Sequence, residues 1–222
     1  MILIAIDGAC RRNGKSDCIS AGGLFIKQYT EDLTILRTQI KFEHEYNSTN
    51  QRGELLALLL ALDCAWQCKE ETQIVTDSEY LFNTMTKNWY TNWQNNGWKS
   101  VAGSDIKNKD YWMQIIHMHD TCVKNNIEIL FYHIQGHAMP FGKVTASTLL
   151  NKDRSGLLLY NELCNKFENN QKNDFVDLNE LSIKNNGFKL EDVVLKEFVV
   201  SNIVADSVAT LGVELADGCL PA

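Results

Sequence analysis

From Leu55 to Leu62 every residue is apolar, and beyond Asp63 the pattern runs on to Trp66. A helix over Gln51–Cys68 with no polar face is expected to be buried on all sides. Its entrance is unlike its body: Asn50, Gln51, Arg52 and Glu54 precede the apolar run. Upstream, "MILIAIDG" reads as a buried strand closing on an acid. "ISAGGLFIKQY" and "LTILRTQIKFEH" are rich in β-formers and alternate in part. The turn-like "ACRRNGKSD" joins the first two, so the opening three strands are expected to pair antiparallel.

Downstream, "TQIVTD" reads as a short buried strand and "SEYLFNTMTKN" as a helix capped by Asp77 or Ser78. "WYTNWQNNGWKS" is aromatic and amide-rich and stands apart. "DIKNKDYWMQIIHMHDTCVKN" has helical spacing at Trp112, Ile115, Ile116 and Cys122, and "IEILFYHIQGH" is a fifth strand. Three early strands followed by strand–helix alternation predict an α/β fold. Its sheet is mixed and five-stranded, three antiparallel strands then two parallel, with helices on both faces. A right-handed crossover sets the strand ending at Asp77 parallel to the strand ending at Asp7. Ligands of such sheets bind beyond the carboxyl ends of the parallel strands.

After Gly142 the pattern loosens. "SGLLLYNELCNKFENN" and "LEDVVLKEFVVSNIVADSVATLG" read as helices. Between them, Asp177 and Glu180 in capping-box spacing and a closing Gly187 mark a short helical turn. "DGCLPA" is expected to fray. With no internal repeat and no low-complexity linker, residues 1–222 read as a single domain.

Composition narrows the partners. The chain is 45% hydrophobic, ample for one core, and its formal net charge is −7. That excludes a generically basic nucleic-acid binder, so contacts with nucleic acid have to be local or assisted by metal ions. Seven cysteines occur without a C-x-x-C pair, a set suited to a reducing cytosol and a cytoplasmic location. Cys64 and Cys68, one helical turn apart, read as packing rather than zinc ligands. "MILIAIDGAC" reads as too short for a signal peptide and has no basic n-region, and no apolar run approaches ~20 residues, so no membrane span is expected.

Four acids have bland readings one at a time. Asp7 suits a turn, Glu54 a helix dipole, Asp77 a helix cap and Asp206 the polar stripe of an amphipathic helix. Together they are harder to dismiss. Asp7 and Asp77 share one sheet edge, and Glu54 opens the helix leading into the second of those strands. Carboxylates gathered at a dry edge repel unless cations neutralise them. Hard oxygen donors suit magnesium or manganese. Two such ions ~3.5–4 Å apart clamp the attacking and leaving oxygens of a phosphodiester.

In these motifs the chain resembles the type 1 ribonuclease H family, nucleases that cut the RNA strand of RNA/DNA hybrids. "IAIDGAC", "TNQRGELLALLLAL", "VTDSEYLFN", "NWQNNGWKS", "IKNKDYW", "IQGHA" and "NIVADSVA" carry the resemblance, in the family's order. They span roughly 1–142 and 202–213. The resemblance implies a ribonuclease H-like fold and a metal-dependent endonuclease. Asp7, Glu54, Asp77 and Asp206 would hold two magnesium ions, Asp7 shared between them, with manganese as a substitute. Cleavage would leave a 5′-phosphate and a 3′-hydroxyl, and His137 in "QGHA" would assist proton movement or product release. His133, His117 and His119 read as structural.

The same resemblance gives the entrance of the apolar helix a role. Asn50 and Gln51 would read the ribose 2′-hydroxyl and base edges in a shallow minor groove. Gly8, Cys10 and Asn13 would lie along the RNA backbone, and Arg52 would act structurally. Thr49 and Asn108 match the position that grips a DNA phosphate, with Asn47 where some members have arginine. Trp89 and Trp93 match aromatic positions facing the DNA strand, with Tyr80 a weaker match, and Trp98 reads as packing.

Two departures stand out. From Trp89 to Lys99 the one charge is Lys99, where several relatives are basic, so hybrid binding should be weaker and less salt-sensitive than in basic relatives. About sixty additional residues separate His137 from Asp206, giving a helical insertion over 143–201. It carries eight basic and nine acidic residues, which does not support a nucleic-acid arm. The plain reading is a helical extension packed on the sheet; a lid or a docking element for a protein partner is the alternative. Ile203 stands where many relatives have glutamate, and Asp153 and Glu214 compete with Asp206 for the fourth carboxylate. Two other functions compete with hybrid cleavage. One is a DNA-directed nuclease or resolvase of the same fold, the other a non-catalytic hybrid-binding protein.

Overall fold

The computed structural model describes residues 1–134, 136, 149, 155–171 and 192–219. Strands β1 (Ile2–Arg11), β2 (Ile19–Tyr29) and β3 (Ile35–Tyr46) form an antiparallel meander. Helix α1 (Asn50–Cys68) crosses to β4 (Thr72–Thr76), which runs parallel to β1. Helices α2 (Glu79–Thr86), α3 (Trp89–Asn95) and α4 (Lys109–Lys124) lead to β5 (Ile129–His133), parallel to β4. The sheet order is β3-β2-β1-β4-β5. Helices α5 (Leu157–Gln171) and α6 (Asp192–Ala216) follow. This is the mixed five-stranded sheet expected from the strand pattern. Ala5 pairs with Val75, so two residues further on Asp7, still paired with Gly23 of β2, lies beside Asp77 just past the end of β4.

Ile2 to Ile6 are all buried because β1 is covered on both faces. One core packs Ile4, Ile6 and Leu24 against Leu55, Leu58 and Leu62 of α1 and Trp112 and Ile115 of α4. The other packs Leu3, Ala5 and Phe25 against Leu159 and Leu163 of α5 and Phe198, Val204 and Val208 of α6. Successive β2 residues face opposite sides, and both helices come down to backbone contact there. A Cβ on Gly22 would lie 2.4 Å from the Ala57 nitrogen, and one on Gly23 2.2 Å from the Ala209 nitrogen. Neither helix could sit so close above a larger residue.

The interval before Asp206 therefore supplies core. α6 starts well ahead of the "NIVADSVA" motif, and Leu149, Leu159, Leu163, Phe198 and Val199 are buried. Fully buried Lys27 of β2 joins the two elements. Its ammonium lies 2.6 Å from Glu197 of α6 and 4.2 Å from the centre of the Tyr160 ring on α5. The Tyr29 hydroxyl donates to the same Glu197 oxygen. Burial lowers the Lys27 pKa, and the adjacent carboxylate opposes that shift.

Five expectations need adjustment. The first strand does not close on Asp7 but runs on to Arg11, and "WYTNWQNNGWKS", which the pattern left without an element, begins as α3 with a bridge pairing Lys99 and Asp105. Ser78 is the cap residue of α2, but its side chain makes no capping hydrogen bond. Asp217 does not fray; it forms ion pairs with Arg12 at 2.6 Å and Arg11 at 3.1 Å. Among the described residues, Lys196–Ala216 has the length and composition of a membrane span although no unbroken apolar run is that long, and 72% of its most apolar 18-residue window is buried. It is a core helix here. Asp177, Glu180 and Gly187 lie outside the described residues.

Candidate active site

Three carboxylates meet where β1, β4 and α1 converge. Asp7, Glu54 and Asp77 each present an oxygen, all within 4.8 Å of one another. The parallel pairing of β1 and β4 brings the two aspartates together. Gly8 brings the third acid: a Cβ there would lie 2.4 Å from the Glu54 nitrogen, so its absence lets the first turn of α1 rest on β1. Gly136, just past β5, plays the same part for Asp77, because a Cβ there would meet Asp77 Oδ2 at 2.4 Å.

The acids raise one another. Asp7 is 7% exposed, and burial holds its pKa well above the usual carboxylate range, aided by Asp77, Glu54 and Asp206. Burial, then Asp77 and Asp206, push Glu54 up to about 8. The charge reaching both groups from α6 is thus that of Asp206. Asp153 lies outside the described residues. Glu54 Oε2 is buried with no hydrogen-bond partner, the condition of an oxygen that a cation would satisfy. An all-oxygen donor set of this density fits a hard divalent ion.

Beside the acids runs a groove of about 580 Å³, lined by Asn13, Thr49, Asn50, Gln51, Glu54, Ser78, Tyr80, Lys107 and Asn108. Thr49 caps α1, its hydroxyl accepting from the Arg52 nitrogen at 3.3 Å. Asn108 is left-handed at φ 55°, a conformation asparagine tolerates, and its amide donates to Gln51 Oε1 at 3.0 Å. Asn13 reaches across to accept from the Asn50 nitrogen at 3.4 Å. Tyr80 is held from behind by Trp112 Nε1, 3.0 Å from its hydroxyl. Arg52 turns away from the groove: it bridges Glu45 and Asp110 and stacks on Tyr111.

The profile described as RNase H matches residues 1–152. The chain belongs to the RNase H family. The ribonuclease H of Francisella tularensis subsp. novicida (strain U112) is 31% identical over 151 residues, 68% of this chain and 89% of that protein. The ribonuclease H of Clostridium botulinum (strain Hall) is 30% identical over 138 residues, 62% of this chain and 84% of that protein. In fold the chain is similar to LC9-RNase H1, described as a type 1 RNase H with the type 2 active-site motif. That likeness has a TM-score of 0.51 at 23% identity and covers 62% of this chain and 64% of that one. The PFV RNase H domain gives 0.50 at 18% identity, over 71% of this chain and 88% of that one. The family match ends ahead of α6, and the acids whose oxygens lie within 4.8 Å of one another are Asp7, Glu54 and Asp77, so Asp206 is tied to them here by its charge alone.

Not every residue picked from the sequence of this RNase H lines the groove. Gly8 lies beneath it, at the contact between β1 and α1. Cys10 points to Cys18, with the sulfurs 2.7 Å apart. Trp93 packs edge-on against Trp112 at 5.5 Å, and Trp89 sits near Lys87. Asn47 is exposed in a left-handed turn at φ 53°. His137 lies outside the described residues. Three contributors escaped sequence reasoning. Lys107 lines the groove. His133 Nε2 sits 3.1 Å from the Asp77 carbonyl oxygen. Asn202 Nδ2 donates to the Ile6 carbonyl at 3.1 Å, next to Asp7. The N-x-x-A-D spacing held the last of these, but the contact itself depends on α6 crossing β1.

Proposed function

We propose that this RNase H hydrolyses the RNA strand of RNA/DNA hybrids, leaving a 5′-phosphate and a 3′-hydroxyl. The observation that carries the reading is the adjacency of the acid cluster to an amide-lined groove, with Glu54 belonging to both. Asn50, Gln51 and Asn13 offer donors and acceptors to a ribose 2′-hydroxyl, the group that separates RNA from DNA. Thr49 and Asn108, beside these amides in the groove, would grip a phosphate of the DNA strand. Asp7, Glu54, Asp77 and Asp206 would hold two divalent ions, magnesium or manganese. Bound there, such ions neutralise the carboxylates and supply Lewis-acid activation of water and of the phosphodiester.

The protein's own contribution is positional. The β1–β4 pair fixes the spacing of Asp7 and Asp77, and the Gly8 contact fixes Glu54 against them. Asn202 fixes α6 against the middle of β1, next to Asp7. Burial raises the protonated fraction of Asp7 and Glu54 without metal, so ion binding has to displace protons. His137, one residue past Gly136, would serve proton movement or product release.

The test is cleavage of a hybrid 5′-labelled on its RNA strand, beside single-stranded RNA, double-stranded RNA and duplex DNA. Each runs with magnesium, with manganese and with chelator. The reading expects metal-dependent cutting of the hybrid alone, with phosphate on the 5′ end of each new fragment. Cutting of duplex DNA at a comparable rate would favour a DNA-directed nuclease. Binding of the hybrid without cutting under either metal would favour a non-catalytic binder.

A further inference from the structure

Cys10 and Cys18 form a thiol pair at the end of the β1–β2 hairpin, three residues beyond Asp7 on the same strand. Cys10 is half-buried on β1 and Cys18 fully buried at the entry to β2. Their sulfurs are 2.7 Å apart, which is ~0.7 Å longer than a disulfide bond and well inside ordinary sulfur contact. The hairpin sets this distance. Cys10 pairs with Ser20 and Arg11 with Ile19, and the turn closes through Lys15 N to Arg12 O and Cys18 N to Lys15 O. Arg12, left-handed at φ 59°, anchors the turn through ion pairs to Asp17 and Asp217. Closing the bond therefore needs a side-chain adjustment and little backbone movement.

We propose that Cys10 and Cys18 are a redox-modification site that closes to a reversible intramolecular disulfide, with a low-molecular-weight disulfide such as glutathione disulfide as the oxidant. The more accessible Cys10 thiolate attacks one glutathione sulfur; the glutathione S–S bond breaks and one glutathione thiolate leaves. Cys18 then attacks the Cys10 sulfur of the mixed disulfide, breaking its bond to the second glutathione, which leaves as thiolate. The two protons lost by the cysteines end on the two departing thiols. The protein is oxidised by two electrons and the small disulfide is reduced by two. Burial and the neighbouring Cys18 sulfur push the Cys10 thiol up to about 12, so attacking thiolate is scarce near neutrality and the dithiol persists without added oxidant.

The intact chain would be incubated with glutathione disulfide in mildly alkaline buffer, then alkylated, weighed whole and peptide-mapped. The expected result is loss of two of the seven free thiols, a mass lower by about 2 Da before alkylation, and a peptide joining Cys10 to Cys18, all reversed by dithiothreitol. Cys10→Ser should form no such link. Cys18→Ala, confirmed folded by circular dichroism, should stop at a mixed disulfide on Cys10. Retention of all seven thiols, or a bond mapping to Cys219, would overturn the assignment. The readout needs neither substrate nor metal, so it stands or falls separately from the proposed cleavage.

Discussion

Asn202 donates its side-chain amide to the main-chain carbonyl of Ile6 at 3.1 Å, and both residues are buried. The bond joins α6 to β1 one residue before Asp7 and four before Asp206. Replacing Asn202 by Ala would leave the Ile6 carbonyl without its partner, a penalty of ~1–3 kcal/mol. Magnesium affinity, followed by calorimetry on folded protein, should fall because Asp206 is no longer registered against Asp7. An unchanged affinity would mean that α6 is positioned by other contacts.

The Lys27–Glu197 pair is asymmetric and so separates two explanations for its presence. Lys27 is fully buried, whereas Glu197 keeps some access to water. Glu197→Ala leaves a buried ammonium without a counter-charge and should destabilise by ~3–5 kcal/mol in urea unfolding. Lys27→Met removes the buried charge and keeps the apolar stem, so it should be much better tolerated. Equal losses in the two variants would show that the pair acts through packing alone.

Without metal, stability should fall as pH rises through the acid cluster. The Glu54 carboxyl is held at about 8 against an ordinary 4.5, and Asp7 is shifted in the same direction. Between those two values the folded chain binds protons that the unfolded chain has released, so the stabilisation is complete below about 4.5 and is lost as pH rises through about 8. Thermal midpoints in chelator should decline across that window, and magnesium should reduce the decline by pairing with the ionised acids. A midpoint that rises across the window in chelator would contradict the placement of these carboxylates.

Salt should weaken hybrid binding only modestly. Lys107 is the cation among the residues lining the groove, and Lys99 is paired with Asp105 at 2.7 Å. With few phosphates neutralised by side chains, the slope of log affinity against log salt should be no steeper than about −3. It would be measured on Asp77→Asn to keep the hybrid intact. A slope near −6 would reveal basic contacts outside the groove.

The parts of this fold that follow from local pattern were readable in the sequence. The strand periods, the wholly apolar α1 and the amphipathic α4 need only their own residues. The meeting of Asp7 and Asp77 was readable too, because a crossover helix makes the two strands parallel, although only Asp77 follows the end of its strand and β1 runs on past Asp7 to Arg11. What escaped depends on contacts between distant segments. α3 was hidden by amides and tryptophans that give no clean period, and its Trp93 is fixed by Trp112 of α4. The grip of His133 on the Asp77 carbonyl, and of Asp217 on Arg11 and Arg12, arises only once the sheet and α6 are assembled. Gly8 and Gly23 carried a weak signal, since glycine inside a strand marks close backbone approach, but the partner helix could not be named from spacing.

The most direct test of the central claim is the rate at which Asp77→Asn cleaves the hybrid in magnesium, measured beside the unaltered chain and with thermal unfolding to confirm the fold. Asp77 is one of three acids whose oxygens converge within 4.8 Å. The account predicts that this variant stays folded, still binds the hybrid and cuts it at least ~10³-fold more slowly. A folded variant that cuts at the original rate would show that the carboxylate cluster is not the catalytic centre.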